Sequence, residues 1–319
     1  MEEYQSIENG LGLIALNEAV LRLEGKDTHK FLQGILSNDI LLLKNGQGLA
    51  SCFLSAKGKW IAALQLFQIG NSIFAKTSPQ EGKTLLEAIK PLILFSESSI
   101  VDVSEDYQWI LGLGAKALEF AYAEFSIPSD ASAYSHHSQE LEGVSFEVIL
   151  NEGWRLPSFL LLLSRQSSDS FLNKLLSLKK DSPFQIISPE TLEVLRIESG
   201  IPLYGKDVDE KTIPLEAGMD TYFSYTKGCY VGQETISRIK HYGRVNKRLA
   251  RLKLDPKILT QVGEIVLLQD KEVGKVTSIC KSPLFGNLAL ATLHQEANSP
   301  GTEVFVCSKG EKIKAQVLE

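Results

Sequence analysis

The sequence predicts an α+β protein that ends in a small antiparallel β-barrel. Three observations predict it. Short apolar strands mix with helical stretches up to about Leu178, a strong helix start follows at Ser188-Pro189-Glu190, and beyond Leu249 only short strands remain. A chain of 319 residues, 44% hydrophobic and 23% charged, is long enough for two or three domains with proper cores.

In order, Ile14–Leu16 and Val20–Leu23 have strand character and Asp27–Gln33 that of a short helix. Leu49–Leu54 and Trp60–Phe67 form a strand pair hinged on the turn Ala56-Lys57-Gly58-Lys59. Pro79–Ile89 spaces Leu85, Leu86 and Ile89 for one helical face. Strands are expected at Ile100–Val103, Gln108–Leu111, Val144–Leu150 and Phe159–Leu163, with helices over Ala115–Glu124 and Ser170–Leu178. The Ser- and Ala-rich stretch Ser126–Gly143 breaks both periodicities and predicts a surface loop, with His136 and His137 in solvent. "LRLEGKDTHKFLQ" (Leu21–Gln33) and "WILGLGAKALEFA" (Trp109–Ala121) share a strand, glycine turn, helix order, which suggests two similar subdomains.

Ser188 supplies an N-cap, Pro189 the first helical residue and Glu190 a first-turn acid, while Gly200 and Pro202 end that helix. The following "GIPLYGKDVDEKTIPLEAG" (Gly200–Gly218) predicts a long ordered loop. The last region offers strands at Leu249–Leu254, Glu264–Leu268, Val273–Cys280, Leu288–Leu293, Glu303–Cys307 and Lys312–Val317, with turns at Gln269-Asp270-Lys271 and Ser308-Lys309-Gly310. Domain boundaries are expected at 1–244 and 245–319.

Composition excludes several classes. The opening MEEYQSIENG is acidic where a secretory signal is basic and then apolar, and the apolar run Phe159–Leu163 is too short to span a bilayer. A cytoplasmic protein with no membrane partner is the expectation. Cys52, Cys229, Cys280 and Cys307 are scattered without C-x-x-C spacing, so neither a disulfide framework nor a local metal site is written in the sequence. A net charge of −6 argues against bulk affinity for nucleic acid. Gly112, Gly114 and Ala117 match a relaxed dinucleotide-binding pattern, but the parallel βαβ repeats that such a fold needs are missing, and a plain strand-to-helix turn explains them.

The chemistry concentrates in "KGCYVGQETISRIKHYGRVNKRL" (Lys227–Leu249). Cys229 sits beside Lys227 and ahead of a short helix, Gln233–His241, two features that favour thiolate over thiol. Gly228 and Gly232 flank it, which permits unusual backbone angles and close ligand approach; the alternative is a small buried side chain in a tight turn. From Lys227 to Lys253 eight basic residues face one acid, Glu234, giving a positive stripe suited to phosphates, a polyanionic tail or an acidic partner, or simply a solvated face. Only Tyr230 and Tyr242 interleave it, so a stacking surface for RNA is weakly supported.

Lys227-Gly228-Cys229-Tyr230-Val231-Gly232-Gln233-Glu234 resembles the K-G-C-Y-x-G-Q-E signature of the YgfZ family, folate-binding relatives of the glycine cleavage T-protein. "FLQGILSNDI" (Phe31–Ile40), Arg196–Gly218 and the final strands are similar to family segments in the same order. The resemblance implies a cloverleaf of two entwined α+β subdomains around a folate cavity plus the barrel. It implies tetrahydrofolate or a derivative as cofactor, Glu198 as the pterin anchor, and Tyr204, Lys227, Gln233 and Arg238 as further cofactor-binding residues. A carboxylate suits the pterin because it accepts from a ring N–H and an exocyclic amine together. Gln233 stands where T-proteins carry a basic residue. Partners implied are iron–sulfur proteins or their assembly factors and, through them, tRNA modification, with Cys229 as the reactive thiol.

One departure counts against a transferase. Where T-proteins carry an aspartate pair, this chain has Ala62 and Ala63, which neither position nor accept a proton. An aminomethyltransferase-like one-carbon transferase and a direct tRNA-binding module remain the alternatives.

Overall fold

The structure, a computed structural model, describes residues 2–178, 184–255, 260–308 and 310–318, with Leu178 and Tyr242 described in their backbone only. The expected turn at Ser308-Lys309-Gly310 includes Lys309, which lies outside the described residues. The chain forms α1 (Glu2–Asn9), β1 (Leu11–Ala15), β2 (Ala19–Glu24), α2 (Thr28–Ile35), β3 (Gly48–Leu54), β4 (Trp60–Ile69), β5 (Ser72–Thr77), α3 (Pro79–Ile93), β6 (Ser99–Asp102), β7 (Tyr107–Leu113) and α4 (Ala117–Glu124). It continues with β8 (His136–Leu141), β9 (Val144–Asn151), β10 (Ser158–Ser164), α5 (Arg165–Leu178), β11 (Phe184–Ile186), α6 (Pro189–Ser199) and α7 (Gln233–Tyr242). The last strands are β12 (Lys247–Leu254), β13 (Ile265–Leu268), β14 (Lys271–Ser282), β15 (Gly286–His294), β16 (Glu303–Ser308) and β17 (Glu311–Val317). Two compact units result: Met1–Ser55 with Ile61–Ser188 and Thr221–Val231, and Ala56–Trp60 with Pro189–Asp220 and Gly232–Glu319.

The first unit holds two sheets, in the orders β11-β1-β7-β10-β9-β8 and β3-β4-β5-β2-β6. The chain enters the first with β1, crosses to the second for β2 through β6, and returns with β7, so the two α+β halves interleave. The echoing segments of the sequence fall one in each half, as β2–α2 and β7–α4. Strand β4 shows why such a sheet forms. Trp60, Ala62, Leu64 and Leu66 are buried, and the residues between them are less so, the period of two that sends alternate side chains to opposite faces.

Several elements differ from expectation. Strand β5 was not anticipated, although the two residues Gly70 and Asn71 between Ile69 and Ser72 are a hairpin signal, and Gly70 takes φ +57°. Helix α3, capped by Ser78, continues through Pro91 to Ile93, because a proline in the last turn removes a single intrahelical bond. The stretch Ser126–Gly143 is not all loop: it contains β8, paired with β9 around Glu142 (φ +49°) and Gly143 (φ +82°). His136 is buried rather than solvated, its Nδ1 2.9 Å from Glu147 Oε2 and its Nε2 3.0 Å from the Gln68 carbonyl. Edge position hid this strand, since most of its side chains remain polar and accessible.

Strand β7 runs antiparallel to both β1 and β10, so the glycine pattern at its end serves packing. A Cβ on Gly112 would lie 2.2 Å from the Phe159 ring, and Gly114 (φ +152°) lies against the Gly10 carbonyl.

The second unit contains α6, α7, the loop between Gly200 and Asp220, and a closed antiparallel barrel in the order β12-β15-β14-β13-β16-β17. Its interior is aliphatic, with Leu252, Val266, Val276, Ala289, Ala291, Val304 and Ile313 in one cluster. No described helix is long and apolar enough to cross a membrane.

Candidate functional site

In the second unit the site is built on the last turn of α6. Ile197 packs, fully buried, against Leu288 and Leu290 of β15, a contact that draws on about 2 kcal/mol of apolar burial and fixes the rotation of the helix. That rotation sends Glu198 inward, with no exposed surface. Ser282, at the end of β14, donates its hydroxyl to Glu198 Oε1 at 2.6 Å while accepting the backbone N–H groups of Leu284 and Phe285. Both N–H bonds orient the hydroxyl, so its proton points at the carboxylate. The charge sits at the negative end of the helix, where its placement costs free energy, and the Ser282 bond offsets part of that cost. Arg251 Nη1 donates to the Glu198 carbonyl at 2.6 Å.

A buried ionic network holds this turn in place. Arg196 Nη1 donates to Asp207 Oδ2 at 2.7 Å, Nη2 to Ser278 Oγ at 2.9 Å, and Nε to Glu193 Oε2 at 2.7 Å. Asp207 accepts in addition from Thr277 Oγ1, Ser278 Oγ and the Leu203 N–H. Burial pushes the Glu193 carboxyl up, but hydrogen bonds from Arg196 and Lys206 outweigh it and hold the group below its ordinary range. The network ties the Gly200–Asp207 loop to α6 and to β14, and Glu198 is positioned by both.

The other expected ligand residues of this unit are spread over separate elements. Tyr204 is half-buried in the loop, its ring centroid 6.4 Å from that of Trp60. Gln233 is the first residue of α7, half-buried behind Gly232, which takes φ +81°. Arg238 lies exposed one turn further along α7. Of the basic stripe, Arg244, Lys247, Arg248 and Lys253 are exposed as well.

In the first unit, segment Thr221–Val231 binds the "FLQGILSNDI" stretch. Lys227 donates to the carbonyls of Gln33 (2.8 Å), Leu36 (2.7 Å) and Asn38 (2.8 Å), saturating its three N–H donors at the C-terminal end of α2. Ser37 donates to the Tyr222 carbonyl, and Asn38 Nδ2 to that of Thr221. The same ammonium lies 5.3 Å from the centre of the buried Tyr230 ring. Burial lowers the Lys227 ammonium to about 8, against an opposing pull from Asp39. Lys227 therefore serves as a clamp between two sequence motifs, and its hydrogen-bonding capacity is spent on carbonyls.

The clamp presents Cys229 exposed on the surface of this unit. Of its flanking glycines, Gly232 takes a left-handed backbone, whereas a Cβ on Gly228 would meet open space, so only Gly232 answers to backbone geometry. Ala62 is fully buried in the core of the five-stranded sheet, and the N–H of Ala63 donates to Glu81 Oε1 at 2.9 Å. Volume does not mark the chemistry: a polar cavity of about 570 Å³ in this unit is lined by Asn45, Gln47, Asp130, Ser135, His137 and Glu147, and includes neither Cys229 nor Glu198.

The sequence matches the GCVT N-terminal domain over residues 1–227 and the glycine cleavage T-protein C-terminal barrel domain over residues 247–319. The chain belongs to the glycine cleavage T-protein family. It is 23% identical to an aminomethyltransferase of Caldanaerobacter subterraneus, with 100% of this chain and 86% of that protein covered. It is 26% identical to a chloroplast protein of Arabidopsis thaliana, provisionally assigned as a transferase, covering 100% of this chain and 72% of the other. The crystal structure of glycine cleavage system aminomethyltransferase T from Bartonella henselae superposes with a TM-score of 0.86 at 19% identity, covering 100% of this chain and 88% of that one. The T-protein fold, mixed α+β with its closed six-stranded barrel, is thereby established for this member of the family.

Proposed function

We propose that this T-protein family member is a tetrahydrofolate-binding accessory protein of the YgfZ type, acting in the cytoplasm in support of iron–sulfur cluster assembly or repair. The observation that carries the folate assignment is the buried Glu198 carboxylate oriented by Ser282. A buried carboxylate suits the donor face of a pterin, a ring N–H beside an amino group. Folate carries one-carbon units. Glu198 would anchor the ring, with Tyr204, Gln233 and Arg238 contributing further along the molecule.

The working group would be Cys229, the one exposed thiol among the four cysteines. Clients would be iron–sulfur proteins or their assembly factors, and tRNA-modifying enzymes would be affected through them. Complementation tests this. A Cys229→Ala variant should fail to restore iron–sulfur enzyme activity in cells lacking the native protein, and full restoration would sink the thiol's role. Tetrahydrofolate titration followed by tryptophan fluorescence should show saturable binding.

Similarity to aminomethyltransferases favours a second possibility, one-carbon transfer by this chain itself. Ala62 and Ala63 weigh against it, because neither has a side chain able to take a proton. Aminomethyl transfer from a lipoyl carrier, measured directly, would reverse the preference. Direct tRNA binding through the exposed cations of α7 and β12 predicts an affinity that falls steeply with salt.

A further inference from the structure

Strand β8 is the last strand of its sheet, so only one of its edges is paired. The register decides which main-chain groups the other edge presents. At one end the Leu150 N–H donates to the Ser135 carbonyl at 3.0 Å; at the other the two-residue turn Glu142-Gly143 closes on the pair Leu141–Val144. Antiparallel pairs alternate, so Ser135, His137, Gln139 and Leu141 bond to β9, while His136, Ser138 and Glu140 turn their N–H and C=O groups outward. His136 bears out this parity, its N–H donating outward to the Gly46 carbonyl at 2.9 Å. That bond is the first rung of a ladder. Beyond it, the outward main-chain groups of Ser138 and Glu140 have no partner among the described residues.

The strand has space beside it. The cavity of about 570 Å³ is lined from β8 by His136, His137 and Ser138, whose side chains alternate between the two faces of the sheet, so it opens on the edge of the strand and not over one face. A second cavity of about 290 Å³ shares Gln47, Ser132 and Ser135 with it and runs on to Leu42, Leu43 and Leu49, where Leu42 is 68% exposed. Among the described residues neither cavity is lined by Lys or Arg, whereas Asp130 and Glu147 line the first and Asp39 the second. Glu147 is engaged by His136 and Ser138, but Asp130 and Glu140 are exposed and without an ion pair among the described residues. Strand β8 itself carries neither Lys nor Pro, the residues that commonly protect a free edge.

We propose that the outer edge of β8 binds an extended, basic segment of a partner protein, which adds to the sheet as a further strand. Its main chain bonds to Ser138 and Glu140, its Lys or Arg side chains meet Asp130 and Glu140, and an aliphatic side chain fills the adjoining cavity beside Leu42 and Leu49. Charge disfavours a second copy of this chain, because pairing two β8 edges would bring both sets of carboxylates together. The edge lies within the first unit and involves neither Glu198 nor Cys229, so its failure would leave the folate reading untouched.

The test uses the full chain and a fluorescein-labelled peptide, Arg-Val-Arg-Val-Arg-Val-amide, followed by fluorescence anisotropy at physiological ionic strength. Saturable binding is expected, and the same peptide with Glu in place of Arg should bind at least about tenfold more weakly. Ser138→Pro removes an outward N–H without touching the ladder to β9, so it should weaken the basic peptide about 5–10-fold, whereas Ser138→Ala, which loses the same hydroxyl, should bind as the parent does. Equal affinity for the two peptides, or a Ser138→Pro variant that binds as tightly as Ser138→Ala, overturns the proposal. If the far-UV spectrum shows that Ser138→Pro does not fold, Glu140→Pro against Glu140→Gln makes the same comparison with the same reading. A parent chain that dimerises in sedimentation through an edge that the proline breaks, and that does not bind the peptide, assigns β8 to a second copy and overturns the proposal as well.

Discussion

Ser282 Oγ stands 2.6 Å from Glu198 Oε1, and both residues are buried. Glu198→Gln keeps the shape of the side chain but exchanges a charged acceptor for an amide that presents one oxygen. Tetrahydrofolate affinity should fall about 10–100-fold, the value of one charge-assisted hydrogen bond. Ser282→Ala, which only frees the carboxylate to reorient, should cost about 3–10-fold on the same scale of hydrogen-bond energies. Fluorescence titration measures both, and unchanged affinity in Glu198→Gln would remove the pterin anchor.

Asp207→Ala should be among the most damaging single substitutions in the second unit. It leaves the buried Arg196 guanidinium with Glu193 at one edge and only the neutral Ser278 hydroxyl and Ile201 carbonyl at the other, at a cost of about 3–5 kcal/mol. The urea midpoint should drop with little change in slope. A loss under about 1 kcal/mol would mean that the network contributes far less than a buried charge pair should.

Lys227→Met should lower stability by about 2–4 kcal/mol at neutral pH, because three carbonyls at the end of α2 lose their donor. Its pH dependence has a definite sign. The ammonium titrates near 8 when folded against 10.5 when free, so between those values the unfolded chain binds more protons. Unfolding free energy measured at intervals should therefore rise with pH through this window in the parent protein, and Lys227→Met should lack that rise.

Thiol titration should separate the cysteines by burial. Cys229 is exposed and should react with an aromatic disulfide in the native state, whereas Cys52 is fully buried, and burial together with Glu81 raises its thiol well above the ordinary range. Cys229→Ser should delete the fast phase, while Cys52 reacts only after unfolding. A fast phase that survives in Cys229→Ser contradicts the exposure seen here.

Much of the fold was legible because local signals and tertiary packing agree. Ser188-Pro189 starts α6 where expected, at Pro189, and Gly200, at φ +71°, ends it. All six expected barrel strands form, and β16 and β17 alternate between buried and more exposed positions as their sequences do. Strand β8 was illegible for the opposite reason. It is a polar edge strand, and the burial of His136 depends on Glu147 and Gln68, which lie 11 and 68 residues away.

The sequence by itself determined the α+β class, the barrel, the motif around Cys229, and the missing acid at Ala62 and Ala63. It singled out Lys227 and Glu198 without distinguishing their surroundings. Only the tertiary structure decided that Lys227 closes the end of α2 and that Glu198 faces Ser282, 84 residues further on. The physical reason is that a charged side chain's role is set by the partners that share its burial. Those partners come from elements that only packing brings together.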